Sequence, residues 1–224
     1  MGNRPNNHSQ WSRGGNQIMQ VVVLISGRGS NLEALLKDQK NYTIAHVVSN
    51  NFNAPGMELA KRFGVTNTCI NWSDIGAAEN SLIDVINECQ ADLIVLAGFM
   101  RILSQNVVSL YHNKIINIHP SLLPKYRGLN THQQVIDNSD ALHGATVHLV
   151  DKKLDHGRIL AQIKISVNNE KNAQTLAEKL ISKEHKLLTT VMGLIGSKDL
   201  VWDDCHLHAY GKTMTEPLII EYQE

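Results

Sequence analysis

Short, almost wholly apolar runs alternate with segments of helical period through the first half of the chain. Two of these runs, QVVVLISG from Gln20 and ADLIVLAGF from Ala91, end at or next to glycine. Such runs are typical of strands that are buried on both faces, as in a parallel sheet. Between them, SNLEALLKDQK, PGMELAKRFG and AAENSLIDVINECQ carry apolar residues at helical spacing. The alternation predicts an α/β fold with a parallel sheet and right-handed crossovers.

The pattern changes in the second half of the chain. HGATVHLVD and GRILAQIKISV alternate apolar and polar residues around KKLDH, which predicts an antiparallel hairpin on the same sheet. NAQTLAEKLISKEHKLLTTVMGLIG predicts a long amphipathic helix, and LVWDDCHLHAY and EPLIIEYQE predict a terminal pair of strands. The expected fold is a mostly parallel central sheet flanked by helices, with a C-terminal antiparallel hairpin extension.

The N-terminal segment differs from the rest of the chain. Residues 1–18 are polar and rich in Asn and Gly, so we expect a disordered leader there and a single domain over residues 19–224. No apolar run approaches the length of a membrane span. The 21 basic and 21 acidic residues balance, which disfavours a nucleic-acid surface. The three cysteines form no CxxC pair, which indicates reduced, buried thiols in a cytosolic protein.

A glycine loop, SGRGSN, follows the first predicted strand, at the edge where parallel sheets bind ligands. Gly27 and Gly29 permit a tight turn, and Ser30 and Asn31 open a helix whose free N–H groups suit an anion. The loop lacks the Lys-Ser or Lys-Thr of a Walker A sequence, and Leu32 takes the third glycine position of a dinucleotide fingerprint. The residues predict a monophosphate site, with an ordinary capped turn as the alternative.

The segment INIHPSLLPKYRG places an amide and an imidazole at the end of a strand. Asn117 and His119 share one strand face, and Pro120 stops the strand. This pair suits acyl transfer, although two merely hydrogen-bonded polar groups are the alternative. An acid that could reach them is either Asp151 or Asp155 of DKKLDHG, and the spacing does not choose between these two. A nearby carboxylate is expected to raise the pKa of the imidazole and keep it cationic.

Together these segments resemble the glycinamide ribonucleotide formyltransferase family, folate-dependent enzymes of purine synthesis. The similarity runs in order from about Val21 to Leu188, through VVLISGRGSNLEALL, DLIVLAGFMRIL, INIHPSLLPKYRGLNTH and HGATVHLVDKKLDHGRILAQ. It implies a Rossmann-like formyltransferase fold and 10-formyltetrahydrofolate as co-substrate, without a metal. It also implies a cytoplasmic monomer or homodimer that acts on small molecules, with neither nucleic acid nor membrane as a partner.

The resemblance implies roles for individual residues. Asn117, His119 and Asp155 would be catalytic, which chooses Asp155 over Asp151. Asn117 and protonated His119 would stabilise the tetrahedral intermediate of a direct attack, with Asp155 assisting. The residues implied in binding the ribonucleotide are Gly29, Ser30, Asn31, Leu32, Glu33 and Glu184. Those implied in binding the folate are Met100, Arg101, Ile102, Leu103, Asn117 and Asp151.

Three positions depart from the family pattern: Arg127 where Pro is common, Asn130 where His is frequent, and His156 where a small residue is usual. We therefore expect the folate loop to differ in shape from that of relatives, while the catalytic trio is untouched.

Other functions stand as alternatives. Formyltetrahydrofolate hydrolase shares the trio but usually adds a regulatory domain before it, and methionyl-tRNA formyltransferase adds a C-terminal barrel and a basic surface. A non-catalytic nucleotide-binding module would explain the glycine loop but not the trio. A metal protein is suggested by 11 histidines, with His206 and His208 on one strand face and Cys205 pointing away. Structural zinc takes four ligands, so an ordinary surface strand is expected there.

Overall fold

The computed structural model describes residues 18–168, 170 and 172–221, and the predicted leader lies outside this range except for Ile18. The elements before the middle of the chain are β1 (Met19–Ile25), α1 (Ser30–Lys37), β2 (Tyr42–Ser49), α2 (Pro55–Arg62), β3 (Asn67–Cys69), α3 (Ile75–Glu88), β4 (Leu93–Leu96) and α4 (Gln105–Leu110). Those after it are β5 (Ile115–His119), α5 (Thr131–Asp137), β6 (Leu142–Leu149), β7 (Ile159–Ser166), α6 (Ala173–Gly196), β8 (Leu200–Trp202), β9 (Leu207–Ala209), β10 (Lys212–Met214) and β11 (Leu218–Ile219).

The central sheet has eight strands in the order β11-β7-β6-β5-β4-β1-β2-β3. The five adjacent strands β5, β4, β1, β2 and β3 are parallel to one another. Strand β6 pairs antiparallel with both β5 and β7. The predictions of an α/β fold and of an antiparallel hairpin on the same sheet are therefore confirmed.

The predicted terminal strand pair is wrong. Strands β8 and β9 form a hairpin, but β10 joins them in a separate three-stranded antiparallel sheet. Strand β11 instead runs parallel to β7 at the edge of the central sheet, with Ile220 N donating to Gln162 O at 2.9 Å. Leu218 and Ile220 pack on the main core there, so burial of apolar side chains draws the segment away from β9.

The core lies on both faces of the sheet. Val21 and Val23 of β1 face the cluster that includes α1 and α6, whereas Val22 and Leu24 face the cluster that includes α3 and α4. All four are fully buried. Burial of each such side chain stabilises the fold by about 1.5–3 kcal/mol, which explains why this strand is an uninterrupted apolar run.

Strands β1, β4 and β5 are adjacent and parallel, so their carboxyl ends meet at one edge. Ser26, just after β1, ties two of these ends together. Its N–H donates to Gly98 O at 3.1 Å, and its Oγ accepts from Met100 N at 2.7 Å. The glycine loop, the segment after β4 and the Asn-His pair of β5 therefore lie side by side.

The remaining findings concern membrane-spanning helices and the cysteines. In the described part of the chain, no helix has both the length and the apolar character required to cross a bilayer. The three cysteines are unpaired, as expected. Cys69 and Cys89 are half-buried, but Cys205 is exposed because it lies in the turn between β8 and β9, so the expectation of burial is wrong for that residue.

Candidate functional site

Strand β5 presents Asn117 and His119 at the edge of the sheet where the carboxyl ends of β1, β4 and β5 meet. Ile116 and Ile118 pack into the core on one face, so the two polar residues share the other, as predicted. The strand ends at His119, before Pro120. His119 is 5% exposed and Asn117 is half-buried, so neither side chain is a freely solvated surface group.

Both ring nitrogens of His119 face protein oxygen atoms. Nε2 lies 2.9 Å from Tyr126 O, and Nδ1 lies 3.5 Å from Asp155 Oδ2. Burial lowers the pKa of His119 below its ordinary value, and it outweighs the opposing effects of Tyr126 O and the Asp155 carboxylate. Asp155 does raise this pKa, as expected, but desolvation dominates, so the expectation that the imidazole is kept cationic is wrong for the free protein.

Asp155, rather than Asp151, is the acid that reaches His119. Its Oδ2 accepts the Gly128 N–H at 2.9 Å, and its Oδ1 lies 3.5 Å from His148 Nε2. Burial alone would raise the pKa of Asp155, but the neighbouring His148 imidazole, the bond from Gly128 and the nearby His119 hold it below the ordinary value. The carboxylate is therefore ionised between two imidazoles. Asp151 binds Lys153 N at 2.7 Å on the same loop.

The sequence predicts that His148 faces the folate loop, but it does not predict the contact of this residue with Asn117. It lies opposite Asn117 in the β5–β6 pairing, and its Nε2 is 3.2 Å from Asn117 Nδ2. Its Nδ1 donates to Leu149 O at 2.8 Å, which leaves Nε2 to accept from the amide. This bond orients Asn117 and uses one of its two amide hydrogens, so the second is available to a ligand.

A cavity of about 100 Å³ opens beside the trio. The loop after β4 contributes Arg101, Ile102 and Leu103, and the loop after β6 contributes Asp151 and Asp155. The other lining residues are Leu96, Phe99, Asn117, His148, Val150, Lys152, Lys153 and Leu154. Met100, which the resemblance also placed at the folate, is 68% exposed and is not among these lining residues. The remaining predicted folate residues are brought together here.

The glycine loop approaches the neighbouring helix closely. Gly29 caps α1 in the left-handed conformation with φ 79°, and it offers no side chain to the helix N–H groups. The first helical bond runs from Glu33 N to Gly29 O at 2.8 Å. A Cβ on Gly29 would lie 2.9 Å from the Cα of Gly56 at the start of α2. The start of α1 therefore presents main-chain N–H groups in a turn that only glycine forms without strain.

Glu184 of α6 lies beside the start of α1. Its Oε2 accepts from Asn31 Nδ2 at 3.1 Å, and burial raises the pKa of Glu184. Asn31 Oδ1 is buried and has no hydrogen-bond partner within the described residues. An unsatisfied buried oxygen next to a shielded carboxyl suits ligand hydroxyl groups, because buried polar atoms require partners.

Leu32 and Glu33 have different surroundings from these two residues. The Leu32 side chain is fully buried in the core, so the residue can offer a ligand its main chain alone. Glu33 pairs with Lys37 across 2.6 Å on the exposed side of α1. The structure thus brings Gly29, Ser30 and Asn31 to the loop and Glu184 beside it, while the side chains of Leu32 and Glu33 point elsewhere.

The family model described as "Formyl transferase" matches residues 19–192. The chain belongs to the formyl transferase family. It is 41% identical over 181 residues to phosphoribosylglycinamide formyltransferase of Escherichia coli (strain K12), covering 78% of this chain and 85% of that protein. It is 37% identical over 185 residues to trifunctional purine biosynthetic protein adenosine-3 of Bos taurus, covering 80% of this chain but 18% of that much longer protein.

Solved structures of this formyl transferase family agree with the fold. Phosphoribosylglycinamide formyltransferase from Coxiella burnetii, in complex with CHES, has a TM-score of 0.86 at 32% identity, covering 92% of this chain and 100% of that chain. The enzyme from Anaplasma phagocytophilum has a TM-score of 0.81 at 36% identity, covering 91% and 98%. These similarities confirm the family resemblance and the fold class predicted from the sequence.

Proposed function

We propose that this enzyme transfers the formyl group of 10-formyltetrahydrofolate to the amine of glycinamide ribonucleotide, a reaction of purine synthesis. The observation that carries the proposal is the contact of His119 with Asp155, which together with Asn117 lines the cavity, next to a glycine loop suited to phosphate. Relatives named phosphoribosylglycinamide formyltransferase support the choice of substrate.

The substrates would meet between the two binding regions. The phosphate would accept hydrogen bonds from the N–H groups at the start of α1. The ribose hydroxyls would donate hydrogen bonds to Glu184 and to the unpaired Asn31 Oδ1. The pterin would enter the cavity between the loops after β4 and β6. This arrangement directs the substrate amine toward the end of β5, where the formyl carbon of the folate would lie.

The reaction would be a direct displacement through a tetrahedral intermediate. The amine forms a bond to the formyl carbon, and the carbonyl π electrons move onto oxygen. Asn117 donates its second amide hydrogen to that oxyanion. Collapse restores the carbonyl and breaks the bond to folate N10, while the proton lost by the amine reaches N10 through water held by Asp155. Atoms and charges balance without a metal.

His119 would act as the cation beside the oxyanion. It is neutral in the free protein, because burial lowers its pKa. Both of its nitrogens nevertheless face acceptors, so the imidazolium is the form in which each N–H has a partner. Negative charge that develops on the formyl oxygen would offset the burial, so His119 gains its proton as the reaction complex forms.

A two-substrate assay on the purified full chain tests the proposal. Products are separated and identified by mass after incubation with glycinamide ribonucleotide and 10-formyltetrahydrofolate. Formylated ribonucleotide and tetrahydrofolate in equal amounts are expected. Formate released at the same rate without the ribonucleotide would instead indicate a formyltetrahydrofolate hydrolase. Bound ribonucleotide with no turnover of the folate would indicate a nucleotide-binding module.

We also propose that the enzyme acts in the cytoplasm, as a monomer or homodimer. The three unpaired cysteines support the cytoplasmic location, because disulfides are rare in that reducing compartment.

A further inference from the structure

The turn between β8 and β9 brings together three side chains that can bind a metal ion. Asp203, His206 and His208 each offer a ligand atom, and these three atoms lie within 4.8 Å of one another. The sequence analysis considered the two histidines and set them aside as too few for zinc. His206 lies in the turn and His208 in β9, with ring centroids 5.9 Å apart, and Asp203 adds the third ligand.

Main-chain bonds hold the carboxylate in place. Asp203 Oδ1 accepts from the N–H groups of His206 and Cys205, each at 2.7 Å. His206 Nδ1 lies 3.7 Å from Oδ1 and His208 Nε2 lies 4.0 Å from Oδ2. Small rotations of the exposed Asp203 and His206 and of the half-buried His208 would bring all three to the roughly 2 Å bond lengths of zinc.

Arg158 makes the turn rigid. Its Nη1 donates to Asp203 O at 2.6 Å and His206 O at 2.9 Å, and its Nη2 donates to Asp204 O at 2.7 Å. One guanidinium thus binds three carbonyls of the same turn. A turn that is already ordered loses less entropy when a ligand binds, which favours binding.

A hydroxyl group also orients one of the imidazoles. Thr213 Oγ1 of β10 lies 3.1 Å from His208 Nδ1. With Nδ1–H donating to this oxygen, Nε2 carries the free lone pair on the side of Asp203. Metal-binding histidines are commonly held this way, with the second ring nitrogen bonded to an oxygen.

We propose that Asp203, His206 and His208 bind one divalent transition-metal ion of the zinc class at the surface. Two imidazoles and one carboxylate match the preferences of zinc, cobalt and nickel, whereas magnesium and calcium prefer oxygen ligands throughout. Water completes the coordination, since three protein ligands leave positions open. The ion joins the turn to β9, and none of its three ligands lines the cavity beside Asn117.

Calorimetric titration of the full chain with Zn²⁺, after removal of metals by a chelator, tests the site. We expect one equivalent to bind, and we expect His206→Asn and His208→Asn each to weaken the affinity by at least about tenfold, the cost of losing even an outer-shell partner. Two control variants change residues next to the proposed ligands. His112→Asn removes an exposed histidine paired with Asp204, and Cys205→Ser removes the thiol of the same turn. Both should bind as the unmodified chain does.

A second measurement requires no variant. Addition of Co²⁺ to the unmodified chain should selectively broaden the imidazole proton signals of His206 and His208, and Mg²⁺ should leave them unchanged. Equal affinity in both histidine variants would overturn the proposal. So would an equal loss in His112→Asn, or Co²⁺ broadening confined to His119 and His148.

Discussion

Arg127 donates from Nε to the main-chain oxygen of Asp155 across 3.1 Å, and Gly128 donates its N–H to the carboxylate of the same residue across 2.9 Å. One loop therefore holds both the main chain and the carboxylate of Asp155, the proposed catalytic acid. Asp155 has φ 52°, a left-handed conformation that costs a residue with a side chain about 1–2 kcal/mol. Arg127 departs from the family pattern, and this bond gives it a physical role.

Replacement of Arg127 by Met should lower kcat/KM for formyl transfer about twofold to tenfold, because one hydrogen bond of about 0.5–1.5 kcal/mol is lost. The folate KM should change less than kcat, since Arg127 does not line the cavity. Steady-state kinetics measure both. Arg127→Lys keeps the charge but lacks Nε, so it should not restore the rate. Arg62→Met removes an exposed arginine on α2 and is the control; an equal loss there would contradict the positioning role.

Asp155 and Asp151 form a matched pair for testing the acid. Asp155→Asn should lower kcat by about a hundredfold to a thousandfold, the loss typical of an oxyanion-stabilising group, because the charge beside His119 disappears. Binding of the ribonucleotide should persist, since its proposed contacts lie on α1 and α6. Asp151→Asn should affect the folate KM and leave kcat near normal. Single-turnover kinetics with separate binding measurements distinguish these; equal kcat losses in the two variants would count against the assignment.

Gly56 packs directly against the glycine loop, the proposed phosphate site. A Cβ there would overlap Ile25 Cδ1 and lie 3.2 Å from Gly27 O and 3.3 Å from Gly29 Cα. Gly56→Ala should therefore raise the KM for the ribonucleotide and lower the free energy of unfolding by about 1–3 kcal/mol. Gly193→Ala is the control, because a Cβ at that helical position meets nothing within 4 Å. Urea denaturation and kinetics measure the two effects, and similar results for both variants would refute the prediction.

Local periodicity explains which parts of this molecule could be predicted. The apolar run of β1 and the shared face of Asn117 and His119 follow from a two-residue period, which the chain carries within a few residues. Parallel strands must align their carboxyl ends, so the meeting of the glycine loop and the β5 pair also followed from local patterns.

The missed features depend on contacts between distant segments. His148 lies beside Asn117 because of the register of β5 against β6, and no turn signal between these strands sets that register. The lowered pKa of His119 follows from the depth of its burial, which spacing along the chain does not reveal. Asp203 was overlooked as a ligand because the geometry of its turn, rather than a strand period, brings it to His208.

A histidine pair, the buried His143 and the half-buried His132, should make the fold sensitive to mild acid. His143 Nε2 lies 2.9 Å from His132 Nδ1, and His143 Nδ1 is buried with no hydrogen-bond partner in the described part of the chain. Burial, together with the neighbouring His132, lowers the pKa of His143 to about 4. In the unfolded chain this pKa is about 6.5. Between these values the unfolded state binds more protons, so stability falls as the pH decreases from 6.5 toward 4.

His143→Gln should remove part of this dependence. The fall in the free energy of unfolding from pH 7 to pH 5 should be smaller in the variant by about 1 kcal/mol, since each unit of pKa shift is worth about 1.4 kcal/mol and solvent screens part of it. Urea denaturation at the two pH values measures the difference. His112→Asn replaces an exposed histidine and should preserve the dependence of the unmodified chain. An unchanged pH dependence in His143→Gln would show that the histidine pair is not its source.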